Sequence, residues 1–174
     1  MATTENDLLS IPEQVLRANR FLTVATSGKD NTPWAAPLMY AIDKHDRFYW
    51  VSASDAIHSR HIAENPNVAI VIFDSNPAYG SAQGLYCSAV AQELAGDDLR
   101  FGCEVFYRMR YPNDEERTKK GRAPRDFEGA SPRRMYLAKV LEFSILHPSK
   151  HPTYGALIDY RVVVPFHTHG VGIL

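Results

Sequence analysis

The sequence between residues 48 and 74 passes from a strand to a helix and back to a strand with almost no connecting residues. Phe48–Ser52 is aromatic and β-branched and favours an extended strand, and the apolar run 68–73 favours another. The residues between them, about 56–64, predict a short helix. Such a chain sets the start of a helix at the end of a strand, where an anion can be held.

The predicted helix start carries residue types that suit an anion site. Ser54 or Asp55 is a suitable N-cap, and Asn65-Pro66 ends the helix. The first turn of a helix exposes backbone N–H groups and a partial positive charge, and His58 and Arg60 lie within about a turn and a half of it. Two interpretations fit this pattern: a phosphate site, or an ordinary strand, helix and strand with solvated His and Arg side chains.

Length, charge and cysteine content narrow the class of protein. A chain of 174 residues with 45% hydrophobic residues can bury one core, so we expect a single domain over residues 1–174. The formal net charge of -1, without a long Lys/Arg run, argues against nucleic-acid binding. Cys87 and Cys103 lack the number and spacing of a zinc site or a disulfide framework.

The residues after Met1 resemble no signal peptide, and no run approaches the roughly 20 apolar residues of a membrane span, so we expect a soluble cytoplasmic protein.

Short strand-like runs separated by turns continue through most of the chain. Antiparallel strands with turns about every ten residues and few helices predict a mainly β protein, a small antiparallel barrel of six to seven strands. The core is expected over residues 11–146, a helical and charged insertion over about 97–132, and an extension over 147–174. The charged part of the insertion, 112–132, fits either a solvated excursion or a lid. The further strands are predicted at 21–26, 34–42, 83–93, 134–146 and 160–165, and further helices at 12–19 and 97–111.

Three segments carry a resemblance to a known family. They are FLTVATSGKDNTPWAAPLMYAIDKHDRFYWVSASDAIHSRHIAENPNVAIVIFD, GSAQGLYCSAVAQELAG and, more loosely, PRRMYLAKVLEFSIL. In order and spacing they resemble the core of the pyridoxamine 5′-phosphate oxidase-like, FMN-binding split-barrel family, over roughly residues 11–146 apart from the insertion. The resemblance implies a homodimer of split β-barrels, with FMN in two symmetric grooves at the subunit interface.

The same resemblance implies positions for the cofactor contacts. The second strand would lie against the flavin, the third would end at the ribityl phosphate, and the basic residue before the helix would bind the phosphate. Members that oxidise pyridoxamine phosphate usually carry an Arg in the second strand and Ser-Arg-Lys before the helix, whereas this chain has Ala56-Ile57-His58 in the latter position. The C-terminal tryptophan and arginine that serve the vitamin substrate in those oxidases have no counterpart here, because both tryptophans, Trp34 and Trp50, lie early in the chain. We therefore do not expect a vitamin B6 oxidase. The implied cofactor contacts are Ala36, Pro37, Leu38, Met39, Val51, Ser52, His58, Ser59, Arg60 and Gln83.

The expected function is that of an FMN-dependent oxidoreductase acting on an unknown small molecule, without nucleic-acid or membrane partners. No catalytic side chain is identified, because flavin chemistry needs no side-chain nucleophile. Two alternatives stay open: a reductase that uses the deazaflavin F420, and a non-catalytic flavin- or haem-binding protein. The axial ligands of a haem would come from His151, His167 or His169.

Other residue clusters fit a functional or an ordinary structural role. Tyr107, Arg108, Arg110 and Tyr111 either line a substrate pocket or pack the inserted helix on the barrel. Asp159-Tyr160-Arg161 either holds a partner or cofactor, or forms an internal salt bridge. We expect no metal site at the H-x-H pair of His167 and His169, since two histidines lack a clear third ligand.

Overall fold

The computed structural model of the protein describes residues 5–78, 82–149, 151–155 and 158–168. In this part of the chain, eight strands form one antiparallel sheet in the order β2-β1-β5-β6-β7-β4-β3, with β8 beside β7. The sheet curls, since β2 and β4 lie near opposite ends of that order and still contact each other. The elements are α1 (Glu5–Ala18), β1 (Phe21–Ser27), β2 (Pro33–Met39), β3 (Ala41–Ile42), β4 (Arg47–Ala53), α2 (Ile57–Glu64), β5 (Asn67–Phe73), β6 (Gly84–Glu93), α3 (Gly96–Arg110), α4 (Asp114–Lys120), a 3-10 turn (Pro124–Phe127), β7 (Arg133–Leu146) and β8 (Arg161–Val164).

The mainly β, split-barrel fold expected from the sequence is confirmed. One difference is that the predicted strand 34–42 is divided at Tyr40: β2 pairs with β1, and β3 pairs with β4. The Tyr40 side chain explains the break, because its hydroxyl proton is shared between the carbonyls of Leu16 at 3.1 Å and Asn19 at 3.0 Å, at the end of α1. This anchor ties α1 to the point where the chain changes its pairing partner.

The main core fills the concave side of the sheet. Alternate residues of the strands point inward, including Leu22 and Val24 of β1, Ile70 of β5 and Trp50 of β4, and all are at most 1% exposed. Helix α1 closes this core with its apolar face. The helix is longer than the predicted 12–19, because it continues through Pro12 toward the N-terminus.

The insertion forms a second core on the outer face of β4 and β7. Helix α3 packs Leu99 and Cys103 against Tyr49 and Met135, and the 3-10 turn adds Phe127, which is 1% exposed. Within the stretch 112–132, α4 has no buried residue, as expected of a solvated excursion, whereas the 3-10 turn is anchored by Phe127. Helix α3 begins at Gly96, one residue before the predicted 97, with Ala95 as its N-cap and Asp97 in its first turn.

The turn between β3 and β4 is built around one buried carboxylate. Asp43, 5% exposed, accepts hydrogen bonds from the backbone N–H groups of His45 (2.9 Å) and Arg47 (3.2 Å). It also accepts from Arg47 Nε at 2.8 Å and from the Tyr49 hydroxyl at 2.9 Å. Burial and the neighbouring Asp43 raise the pKa of Tyr49 above its usual range, so the phenol stays a donor.

The segment after β8 is fastened to the same turn. Asp46 accepts from Thr168 N and Thr168 Oγ1, both at 2.7 Å, and its other oxygen lies 2.8 Å from His167 Nδ1. Burial raises the pKa of Asp46, but the hydrogen bonds of Thr168 and His167 outweigh it, and the pKa lies below the usual range. Phe166 packs edge-on against Phe143 and completes this end of the barrel.

Candidate functional site

Helix α2 begins directly beyond the end of β4. Its N-cap is Ala56, so the prediction of Ser54 or Asp55 as the N-cap is wrong. Those residues belong to the preceding turn instead, in which Ser54 N donates to the Pro132 carbonyl at 2.9 Å and Ala56 N to the Ala53 carbonyl at 3.2 Å. Since alanine has no capping oxygen, the N-cap side chain makes no hydrogen bond to the first N–H groups of α2.

Three of the residues expected near a phosphate lie together at this helix start. His58 Nε2 is 2.8 Å from Ser52 Oγ, and both side chains are buried. Ser59, also buried, donates from its hydroxyl to the Ala53 carbonyl at 2.7 Å and joins α2 to β4. Val51 points to the other face of β4 and packs against the second core. The end of β4 and the start of α2 thus bring the hydroxyls and the imidazole together.

Arg60 lies apart from this pair. It is exposed, and its guanidinium donates to the Asp55 carbonyl at 2.8 Å. The residue on α2 that sequence analysis missed is His61, whose Nδ1 is 3.1 Å from the hydroxyl of buried Thr26. Its position, three residues after His58, is the signal that places it near the same helix face.

We expect the free energy of unfolding of the ligand-free protein to fall as the pH drops below about 6.5, the ordinary pKa of histidine. Burial lowers the pKa of His58, and nearby His61 lowers it further. The unfolded chain therefore takes up the proton first, and the stability present above its pKa is lost as the pH falls toward the lower folded-state value. Urea unfolding at pH 7.5 and 5.5 measures the loss, which should be smaller in His58→Gln. An equal loss in both proteins would contradict this assignment.

The four residues expected on the flavin-facing strand lie on β2, which is an edge strand of the sheet in the described part of the chain. Ala36 and Leu38 are buried in the main core, whereas Pro37 is exposed and Met39 half-buried. Only the latter two side chains can therefore face a ligand on the outer side of the sheet. The unpaired edge of β2 adds backbone groups to that surface.

Gln83 lies at the opposite end of the sheet from α2. It precedes β6, whose first residue pairs with Phe73 at the end of β5. Helix α2 lies at the other end of the sheet, where its C-cap Asn65 donates to the hydroxyl of Ser27 at the end of β1. The side-chain Oε1 of Gln83 is buried and accepts no hydrogen bond from the described residues. A buried acceptor of this kind needs a donor, so Gln83 fits a ligand contact.

A cleft of about 360 Å³ lies where α1, β2 and α3 end. Arg17, Arg20 and Arg110 line it together with Met39 and Met109. Arg110 is the member of the predicted Tyr107, Arg108, Arg110 and Tyr111 group that reaches this cleft. Tyr107 stacks on Tyr111 instead, and Arg108 pairs with Glu104. The other two arginines were missed, because they come from α1 and the turn after it, about 90 residues away in the sequence.

The candidate haem ligands have different surroundings. His151 Nδ1 accepts from the backbone N–H groups of Thr153 and Tyr154, both at 3.1 Å. His167 is 69% exposed and turns its Nδ1 toward Asp46. His169 lies outside the described residues.

No cluster of three or more His, Cys, Asp or Glu side chains suited to a metal ion occurs in the described part of the chain. Cys87 and Cys103 are both free and buried, and burial raises the pKa of Cys103 to about 11. In the 159–161 group, Arg161 lies over the Tyr86 ring at 4.1 Å and Tyr160 stacks on His147. Among the helices that the structure describes, none has the length and apolar character to span a bilayer.

Comparison with known proteins supports the fold and the family. No curated protein matches the chain. The heme binding protein from Mycobacterium smegmatis is similar in structure, with a TM-score of 0.62 at 13% identity over 94% of this chain and 59% of that chain. This chain therefore spans about three fifths of the length of that protein. HutZ, the heme storage protein from Vibrio cholerae, gives a TM-score of 0.59 at 15% identity over 76% of this chain and 89% of that chain.

A FAD-binding protein from Mesorhizobium loti gives a TM-score of 0.56 at 16% identity, over 76% of this chain and 87% of that chain. At such identities these likenesses establish the fold alone. The family model described as pyridoxamine 5′-phosphate oxidase matches residues 13–138, which is well over half of the sequence. Because this match covers β1 to β6, the whole insertion and the start of β7, the chain belongs to the pyridoxamine 5′-phosphate oxidase-like family of split-barrel proteins.

Proposed function

We propose that the protein binds FMN and serves as a flavin-dependent oxidoreductase for a small anionic molecule. The observation that carries the proposal is the start of α2, where uncapped backbone N–H groups adjoin the buried Ser52–His58 pair. Helix starts of this kind bind phosphate through N–H groups and the helix dipole. The Ser52 hydroxyl would add a hydrogen bond to the phosphate oxygens. A bound phosphate would oppose the lowered pKa of His58 and favour its charged form, which would add a charge-assisted hydrogen bond.

The described residues also fit a flavin ring. Gln83 Oε1 is a buried acceptor to which no described residue donates, and the flavin N3–H is a donor of the required kind. Because Gln83 and α2 lie at opposite ends of the sheet, the phosphate and the ring of one FMN would be held by different copies of a homodimer. Along β2, the backbone N–H and C=O groups of successive residues point alternately toward β1 and toward the open edge. Pro37 has no N–H to donate to β1, so its position faces the open edge, and Ala35 and Met39, two residues to either side, direct their backbone groups the same way. The N–H groups of Ala35 and Met39 would hold and orient the ring. When bound, FMN supplies hydride transfer at its N5 atom.

A homodimer is part of the proposal. The outer face of the sheet carries exposed apolar side chains, among them Phe21 at 53%, Phe73 at 51%, Leu141 at 64% and Val163 at 61%. Exposed apolar side chains gathered on one face indicate a surface that another chain covers. A second copy would complete the groove in which the edge of β2 forms one wall.

The arginine cleft supports an anionic substrate. Arg20 and Arg110 would bind a carboxylate or phosphate, whereas Arg17 already pairs with Glu13 at 2.8 Å. The thioethers of Met39 and Met109 would contact an apolar body. Met39 also lies on β2, so a molecule in this cleft would be next to the proposed position of the ring. The cleft thus fits a substrate that carries both an anionic and an apolar part.

Comparing FMN with riboflavin tests the phosphate site directly. We expect FMN to bind at least about 100-fold more tightly, because riboflavin lacks the group that accepts the charge-assisted hydrogen bonds. Ser52→Ala and His58→Ala should each weaken FMN about tenfold and leave riboflavin within about twofold. Equilibrium titration by flavin fluorescence measures all the constants.

His45→Ala is the matched control, since His45 is an exposed histidine on the β3–β4 turn and should bind FMN normally. Equal affinity for FMN and riboflavin in the parent protein would refute the phosphate site. Tighter binding of F420 than of FMN in the same titration would assign the deazaflavin instead.

Haem binding is the second candidate, and His167 is the reason. Metal-bound histidines usually direct the second ring nitrogen to a carboxylate, as His167 Nδ1 does toward Asp46. His151 is the poorer candidate, because its Nδ1 accepts backbone N–H groups and the ring proton then resides on Nε2. The similar proteins from Mycobacterium smegmatis and Vibrio cholerae, described as heme binding and heme storage proteins, favour the same test.

If haem binds, the protein should give a Soret band after haemin is added, and His167→Ala should abolish it while His151→Ala retains it. Absorbance titration with haemin measures both variants. A Soret band that is unchanged in His167→Ala would exclude this residue as the ligand.

A further inference from the structure

A second cleft, of about 260 Å³, lies between the start of α3 and the outer face of β4, β6 and β7. Tyr49 and Leu94 are buried beneath it, and Phe101, 43% exposed, forms one wall. The Phe101 ring lies 6.4 Å from the Tyr49 ring and 5.0 Å from the Arg47 guanidinium carbon. The cleft therefore offers an accessible aromatic surface to an apolar group.

Three charged residues line this cleft: Arg47, Lys139 and Asp98. Lys139 on β7 lies directly opposite Arg47 on β4, and like charges in that position are unfavourable. Asp43 neutralises Arg47 by an ion pair at 2.6 Å. Lys139 has no carboxylate within ion-pair distance among the described residues, and Asp98 forms no ion pair there either, although both line the cleft.

Asp98 has a partial structural explanation, whereas Lys139 does not. As a residue in the first turn of α3, Asp98 interacts favourably with the helix dipole, and its negative charge also helps to raise the pKa of Arg47. No such benefit applies to Lys139, which stands beside another cation on the neighbouring strand. An ammonium and a carboxylate that share a cleft without pairing are complementary to a ligand that carries both charges.

We propose that this cleft binds a small zwitterion of the amino-acid class with an apolar side chain. The ligand carboxylate would bind Lys139, its ammonium group would bind Asp98, and its side chain would lie against Phe101. The volume of about 260 Å³ admits one such molecule. This site is separate from the flavin and arginine-cleft residues, and it does not depend on FMN binding.

The test is isothermal titration calorimetry of the full chain with L-phenylalanine as the probe. Two matched probes each lack one charge: 3-phenylpropionate has no ammonium group, and 2-phenylethylamine has no carboxylate. We expect each to bind about fivefold more weakly than L-phenylalanine, as for loss of one exposed ion pair.

Lys139→Met should weaken L-phenylalanine about fivefold and leave 2-phenylethylamine unchanged, and Asp98→Asn should weaken L-phenylalanine but not 3-phenylpropionate. Lys29→Met, at an exposed lysine far from the cleft in sequence, is the control and should bind normally. Thermal unfolding of each variant checks that it is folded. Absence of L-phenylalanine binding, singly charged probes that bind as tightly as L-phenylalanine, or insensitivity to both substitutions would overturn the proposal.

Discussion

Replacing Asp43 by alanine is expected to lower the free energy of unfolding by about 3–5 kcal/mol. Asp43 is 5% exposed, and its two oxygens accept hydrogen bonds from two backbone N–H groups, the Arg47 guanidinium and the Tyr49 hydroxyl. The alanine variant leaves all these donors in place without their common acceptor, which costs more than the intact pair contributes. Urea unfolding followed by circular dichroism measures the change.

Asp55→Ala is a suitable control, because Asp55 is exposed in the turn before α2, and a loss within about 0.5 kcal/mol is expected. Tyr49→Phe removes one donor and keeps the carboxylate, so it should cost less than Asp43→Ala. A loss below 1 kcal/mol for Asp43→Ala would mean that water replaces the carboxylate and that the turn is not organised around it.

Replacing Trp50 by alanine is expected to cost about 3–5 kcal/mol, the usual range for removing a large buried aromatic ring. Trp50 is fully buried in the main core and stacks on Tyr136 with ring centroids 5.8 Å apart. Trp50→Phe should cost less than about 2 kcal/mol, since Trp50 Nε1 donates to no described residue and phenylalanine loses no hydrogen bond. Urea unfolding of both variants gives the two values.

Trp34→Ala provides the comparison, because Trp34 is 43% exposed on β2 and its loss should change stability little. If Trp50→Phe proves as costly as Trp50→Ala, then Nε1 has a partner in solution, such as a buried water molecule. That result would contradict the assignment of Trp50 Nε1 as an unpaired donor, whereas the expected cost of Trp50→Ala, which comes from removing the buried ring, would stand.

The strands were predictable from the sequence, and the exact helix starts were not. Alternation of buried and exposed residues marks β1, β5 and β7 clearly, and the Asn65-Pro66 pair ends α2 as predicted. The N-cap of α2 could not be read, because a backbone contact from Ser54 to Pro132, almost 80 residues later, fixes the turn before the helix. The break at Tyr40 likewise depends on carbonyls of α1 that no local pattern reveals.

The candidate site divides in the same way. Ser52 and His58 are close in sequence, and the strand-to-helix pattern was enough to predict that they meet. The pattern could not show that Arg60 faces solvent beside Asp55, since one step along a helix turns a side chain by about 100°. The arginine cleft combines residues from α1 and α3, and their proximity follows only from the closed fold.

The open edge of β2 has a consequence for the behaviour of the protein in concentrated solution. An exposed strand edge is ordinarily a template for another chain, which would add a strand and begin aggregation. On β2 the outward-facing positions include Pro33 and Pro37, which have no N–H to offer, so donors remain only at alternate outward positions. The edge can therefore offer isolated N–H groups to a small molecule while it resists the addition of a foreign strand.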